Sequence, residues 1–290
     1  MSADAASTQA SSAAAQPTSA QAAAVQACFT ELTAWAAGAE LTATGRAFTS
    51  DSRNLLRYAT ARNGDYPKAL EQLQASLAWR ETLLAGPLHC PGCDTDPSTH
   101  CFFPIGTSSP CAAAPDGAVV VYACAARART NETAVTIQHM VHQLEHAWSV
   151  QRADKLCWLI DFHGFGLSHA MGGRTATTFL SHISAHLPER LHCAVLINPP
   201  SIFDLLLAVL RPFIDARTMS KVHIVRPKAG GVAAALAPFG VQEQGTLQWL
   251  EAALAMEAKP GSLPPLHPLG EAVAPMQLGH LRAAFKAPPQ

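Results

Sequence analysis

Three stretches of this sequence carry side chains that could do chemistry. Residues 142–146 read His-Gln-Leu-Glu-His. On a helix, His142 and His146 stand about one turn apart, a spacing that can grip zinc, and Glu145 is the residue type that activates a metal-bound water. A zinc peptidase of this inverted type needs a third ligand from another helix. The chain offers Glu189, in a Pro-Glu-Arg turn, and Glu243, in a loop, while His139 adds an imidazole three residues before His142. Without the context the motif requires, the expectation is a histidine-bearing, half-exposed helix face.

Residues 166–173, "GLSHAMGG", are similar to a nucleophile elbow, with Ser168 as nucleophile and His163 and Gly164 near an oxyanion position. That elbow places its serine at the very end of a strand, whereas Ser168 lies well past the apolar run 156–162. Asp204 or Asp215, with His223, would complete a triad in the chain order of an α/β-hydrolase. The third stretch, "HCPGCDTDPSTHCFFPIGTSSPC", holds Cys90, Cys93, Cys101 and Cys111 beside His89 and His100. A C-x-x-C pair converges two thiolates on one point and so can hold a tetrahedral metal, but the second pair is irregular. The expectation is a proline-rich loop with small buried thiols and no bound metal or cofactor.

The elements that must position these residues follow from composition and pattern. A chain of 290 residues with 49% hydrophobic residues can bury a sizeable core. Twenty basic against twenty-one acidic residues, with no long run of either, leave no footprint for nucleic acid. No apolar run approaches the ~18 residues of a membrane span. Residues 1–27 are mostly Ala, Ser and Gln, with Asp4 as their one charge. They lack the apolar block of a secretory signal, and the composition predicts a disordered tail. The eight cysteines are then expected as reduced thiols in a cytoplasmic chain.

Helical spacing is read over residues 52–62 and from Asp65, a plausible cap, to about Leu84, making a small helical lobe. Beyond the cysteine loop come four strand candidates, 119–124, 156–162, 193–198 and 221–226. Helical segments 133–152, 174–187 and 201–214 separate them and are long enough to cross over, so β-α-β units and a largely parallel sheet are predicted. A short helix near 246–258 and a proline-rich tail close the chain. The division expected is a tail over 1–45, the lobe over 46–85, a Cys/Pro-rich loop over 86–117, the main domain over 118–258 and a second tail over 259–290.

A family resemblance covers residues 55–225. "LLRYATARNGDYPKALEQLQASLAWR" (55–80) is similar to the helical entry of CRAL-TRIO proteins, and "LIDFHGFGLS" (159–168) resembles their Ile-Asp-x-x-Gly strand end. "HLPERLHCAVLINPPSIFDLLLAVLRPFIDARTMSKVHIV" (186–225) resembles their most recognisable block, with Pro-Glu-Arg, Ile-Asn-x-Pro, Pro-Phe-x-Asp and Ser-Lys in order.

The resemblance implies an α/β fold: an N-terminal helical lobe, then a mostly parallel sheet flanked by helices around an apolar lipid pocket. It implies a binding protein rather than an enzyme. That protein would be a monomer enclosing one phospholipid, most naturally phosphatidylinositol, and meeting membrane surfaces transiently. By motif position, Arg62, Glu189, Arg190 and Lys221 would serve the headgroup. Residues 201–214 would form a mobile gate helix carrying Ile202, Phe203, Leu206, Leu207 and Leu210. Those residues are apolar nearly all round, as suits an element facing lipid on one side. The alternatives are a tocopherol- or retinoid-like ligand and a hydrolase using Ser168.

Overall fold

The computed structural model describes residues 18–83, 90, 92–93, 96, 98–112, 114–130, 132–151, 153–171, 173–214, 216–228 and 231–264. The expectations for residues 1–17 and for the tail after residue 264 lie outside the described residues.

Four helices form the lobe: α1 (Ser19–Gly38), α2 (Ala43–Ser50), α3 (Ser52–Ala61) and α4 (Tyr66–Leu83). Thr18, Thr42 and Asp51 cap the first three, each accepting a backbone N–H of the opening turn at 3.0–3.2 Å. Helix α1 corrects the expectation of a tail over 1–45. Its Ala-rich composition is also the strongest helix-forming one. Cys28, Leu32 and Ala36, spaced by four, are buried against Leu55, Tyr58, Leu73 and Leu77. Few apolar side chains on that stripe were large enough to stand out in sequence. The α3–α4 turn fits under α1 because position 64 is glycine: φ is +84°, and a Cβ there would lie 2.5 Å from the Ala24 carbonyl carbon.

The main domain is a five-stranded sheet in the order β1 (Phe102–Thr107), β2 (Ala118–Ala123), β3 (Lys155–Asp161), β4 (Leu191–Ile197), β5 (Val222–Val225). Strands β2 to β5 are parallel, and β1 pairs antiparallel with β2. Strand β1 falls inside the expected loop over 86–117 and corrects that boundary. Pro104 and Gly106 read as turn residues, yet an edge strand tolerates a proline, and the register shifts between these two residues as at a bulge.

The crossovers are α5 (Thr133–Gln151) between β2 and β3, then α6 (Leu167–Met171) and α7 (Gly173–His186) between β3 and β4. Between β4 and β5 lie α8 (Phe203–Leu210), one turn of 3-10 helix and α9 (Ala216–Met219). Strands laid down in sequence order with crossovers of one hand put every crossover on the same face. Accordingly α5 packs on Val119, Val121 and Leu156, and α8 on Ile160 and Leu196. The opposite face, with Val120, Tyr122, Leu159 and Val195, is covered by α10 (Val232–Leu236) and α11 (Gln244–Ala255), whose Trp249 stands edge-on to Tyr122 at 5.1 Å.

The lobe docks on α7 through polar contacts. The Tyr58 hydroxyl donates to the His186 carbonyl (3.0 Å), and Gln72 Nε2 donates to the carbonyls of Ser184 (3.1 Å) and Ala185 (2.9 Å). Trp79 stacks on the His186 ring at 4.4 Å. A carboxylate, Asp154, pairs with Arg57 and with Arg190 (3.4 Å) beneath this interface.

Candidate functional site

Between the crossover face of the sheet and helices α7 and α8 lies a cavity of about 1030 Å³. Strand alternation supplies its floor: Trp158 and Ile160 of β3, Ala194 and Leu196 of β4, Val222 of β5. Helix α7 contributes Phe179, Leu180 and Ile183, and α8 contributes Phe203, Leu207 and Leu210. Aromatic rings dominate one end, where Phe102, Trp158 and Phe179 meet edge to face at 5.3–6.1 Å.

The expected gate is shorter than residues 201–214. Helix α8 spans Phe203–Leu210, and Pro212 follows in a 3-10 turn over Arg211–Phe213. Phe203, Leu207 and Leu210 line the cavity, Ile202 sits half-buried at the N-cap, and the Leu206 side chain lies outside the described residues. Ala208 is exposed on the outer side.

Of the expected headgroup residues, Arg62, Glu189 and Lys221 line the cavity. Arg62 Nε donates to Gln72 Oε1 at 2.8 Å, Lys221 Nζ to the Leu191 carbonyl at 2.9 Å, and Glu189 accepts from Arg217 at 3.0 Å. Glu189 adopts φ +58°, so the turn itself aims its side chain. Arg190 departs from the expectation: it is not among the cavity-lining residues. Its guanidinium donates to the Asp154 carbonyl at 3.0 Å and lies 4.2 Å over the Trp148 ring. Burial, with repulsion from Arg57, pulls its pKa down to about 10. Arg190 therefore joins the sheet to α5 and the lobe.

Two cavity groups escaped the sequence reading. Arg217 sits on α9, outside the quoted motif positions, and meets Glu189 only through the fold. Asp161 belongs to the Ile-Asp-x-x-Gly strand end; it accepts from the Tyr122 hydroxyl at 2.6 Å and the His163 amide at 2.8 Å. Burial and the Asp161 charge both push the Tyr122 phenol far up, so it stays a donor.

The two catalytic readings do not assemble. Glu145 is held in a bidentate pair by Arg80, and His142 Nε2 lies 3.2 Å from the Leu83 carbonyl. Among the described residues, none of His142, Glu145 and His146 belongs to a group able to hold a metal. Ser168 lies in α6 and lines the cavity, but His223 packs against Phe239, toward the other face of the sheet, and does not line the cavity. Asp215 and the Asp204 side chain lie outside the described residues.

Comparison with known proteins agrees with this geometry. The family model for the CRAL/TRIO domain matches residues 113–232. The solved structure of Sfh5 is similar in fold, with a TM-score of 0.57 at 12% identity, covering 78% of this chain and 90% of that one. No curated protein matches the chain. The matched residues hold strands β2 to β5 and the helices that roof the cavity, so the similarity to the CRAL/TRIO domain falls on the part of the chain that builds the site.

Proposed function

We propose that the chain is a lipid-binding and lipid-transfer protein that encloses one phospholipid, phosphatidylinositol by preference, and exchanges it at membranes through movement of α8. The carrying observation is the cavity: about 1030 Å³, floored by apolar strand residues and roofed by an apolar helix, a size and lining suited to a hydrophobic ligand. Arg62, Lys221, Arg217 and Glu189 supply polar groups on its wall. A phosphate would take a bidentate contact from an arginine and a point charge from the lysine, while inositol hydroxyls suit the carboxylate. Among the described residues no helix is long and apolar enough to cross a membrane, which fits transient contact with a bilayer.

Catalysis forms no part of this reading. Native mass spectrometry of the purified full chain, followed by solvent extraction and lipid analysis, tests it. One phospholipid per chain is the expected result, and a chain that carries and takes up no lipid from vesicles overturns it.

A second reading, one non-phospholipid hydrophobic ligand, draws on a specific observation. Glu189 and Arg217 neutralise each other, and Lys221 already has a carbonyl partner. A tocopherol- or retinoid-like molecule would leave those pairings intact.

A further inference from the structure

The cysteine loop and helix α5 converge beside β1. Cys90 and Cys93 are three residues apart, His100 stands two residues before β1, and His139 projects from α5. One ligand atom from each of these four residues lies within 4.8 Å of every other. The Cys93 sulfur is 3.6 Å from His139 Nδ1. Bond lengths of about 2.3 Å to sulfur and 2.0–2.1 Å to nitrogen, at the tetrahedral angle, put S and N about 3.6 Å apart around zinc.

Two further observations point to a ligand. His139 turns its other nitrogen, Nε2, to the Phe102 carbonyl at 2.8 Å, the outer contact that fixes tautomer and ring in metal-bound histidines. His100 is 5% exposed, and neither of its ring nitrogens has a hydrogen-bond partner among the described residues. An imidazole buried in that state is costly unless something takes its lone pair.

The surrounding loop is braced in this shape. The Thr99 hydroxyl donates to the Gly92 carbonyl at 3.0 Å, and Arg129 pairs with Asp96 at 2.8 Å. A Cβ at Gly92 would lie 2.9 Å from the Thr99 methyl, so a larger residue there would have to push Thr99 aside.

We propose that Cys90, Cys93, His100 and His139 bind one zinc ion in a tetrahedral site that fastens the cysteine loop to α5. Two thiolates and two imidazoles suit zinc, and four protein ligands leave no open position, so the ion is structural rather than catalytic. Binding releases the two thiol protons. His100 and Phe102 also line the cavity, so the ion would set the shape of that wall. The expectation of a metal-free loop rested on the irregular second cysteine pair; the fourth ligand comes instead from a helix whose histidines read as a surface.

The test is elemental analysis of the reduced full chain purified from zinc-supplemented cells, with about one zinc per chain expected. Cobalt added to chelator-stripped protein should give the intense visible bands of a tetrahedral thiolate site. Cys93→Ser and His139→Ala should each lose the metal, and Cys111→Ser should keep it. Removing zinc should lower the thermal midpoint by about 5 °C or more. Less than about 0.1 zinc per chain, with no uptake of zinc or cobalt in vitro, overturns the proposal. Full retention of metal by folded Cys93→Ser and His139→Ala, or iron or copper preferred at the same ligands, overturns it too. Should the variants fail to fold, the wild-type cobalt spectrum decides.

Discussion

Arg80 and Glu145 face each other through two parallel hydrogen bonds of 2.7 Å, one from each terminal guanidinium nitrogen to each carboxylate oxygen. The pair joins α4 of the lobe to α5 of the sheet domain and is largely buried, with side chains 9% and 13% exposed. The glutamate that could have been a catalytic base is thus a docking group. Burial alone would raise its carboxyl pKa, and the Arg80 guanidinium overrides burial, holding it below the usual range. Glu145→Ala would leave Arg80 buried and unpaired, a loss on the order of 3–5 kcal/mol. Urea denaturation should show that loss, and a change within error would mean the lobe docks without this pair.

Acid should loosen the same interface. His186, stacked on Trp79, has its pKa lowered to about 4 by burial, with repulsion from His182. A folded pKa below the ordinary value of about 6.5 means the stabilisation is full above that value and is lost as pH falls toward 4. Glu145, also depressed, adds a loss as pH falls through the carboxylate range. The denaturation midpoint should therefore drop below about pH 6.5, and His186→Gln should flatten the pH 4–6.5 part of the curve.

Filling the cavity should evict its ligand. Ala194 lies on the floor in β4 and is 6% exposed. Ala194→Trp would place an indole in the lipid space at a packing cost of about 1–3 kcal/mol, which leaves the fold intact. Lipid recovered from the purified variant should fall at least tenfold relative to wild type. Wild-type lipid content in the folded variant would place the ligand elsewhere.

A charge on the roof should slow exchange. Ala208 is exposed on α8. Ala208→Glu should leave the thermal midpoint unchanged and slow vesicle-to-vesicle transfer, because a carboxylate resists entering hydrocarbon. Transfer at the wild-type rate would remove α8 from the exchange step.

Headgroup choice can be read at Lys221. Lys221→Ala removes a charge-assisted contact worth about 1.5–3 kcal/mol, roughly tenfold to a hundredfold in affinity. Phosphatidylinositol transfer should fall by that factor while phosphatidylcholine transfer changes little. Equal loss for both would assign Lys221 to its bond with the Leu191 carbonyl, and no loss would favour the non-phospholipid ligand.

Much of the fold was legible because β2, β3 and β4 are largely apolar runs with residues buried on both faces, separated by helix-period segments. Strand β1 was hidden by Pro104 and Gly106, whose local chemistry argues for a turn and is overruled by pairing with β2. Helix α1 was hidden because alanine-rich sequence reads alike as disorder or helix until a neighbour buries its stripe. The site was legible only as motif positions, without the contacts that the fold makes. Glu189 and Lys221 line the cavity, but Arg190 turns away because Asp154 and Trp148, remote in sequence, claim it.

The two faces of the sheet are separately editable. Along β3, Trp158 and Ile160 look to the cavity while Cys157 and Leu159 look to the packed layer; along β4, Ala194 and Leu196 alternate in the same way with Cys193 and Val195. Over 157–160 and 193–196, every second codon therefore addresses the ligand and the others address the fold. Cargo preference can drift through the first set while the second, under Trp249, keeps the scaffold unchanged. An engineer seeking a new ligand has a ready-made library on the floor at positions 158, 160, 194 and 196.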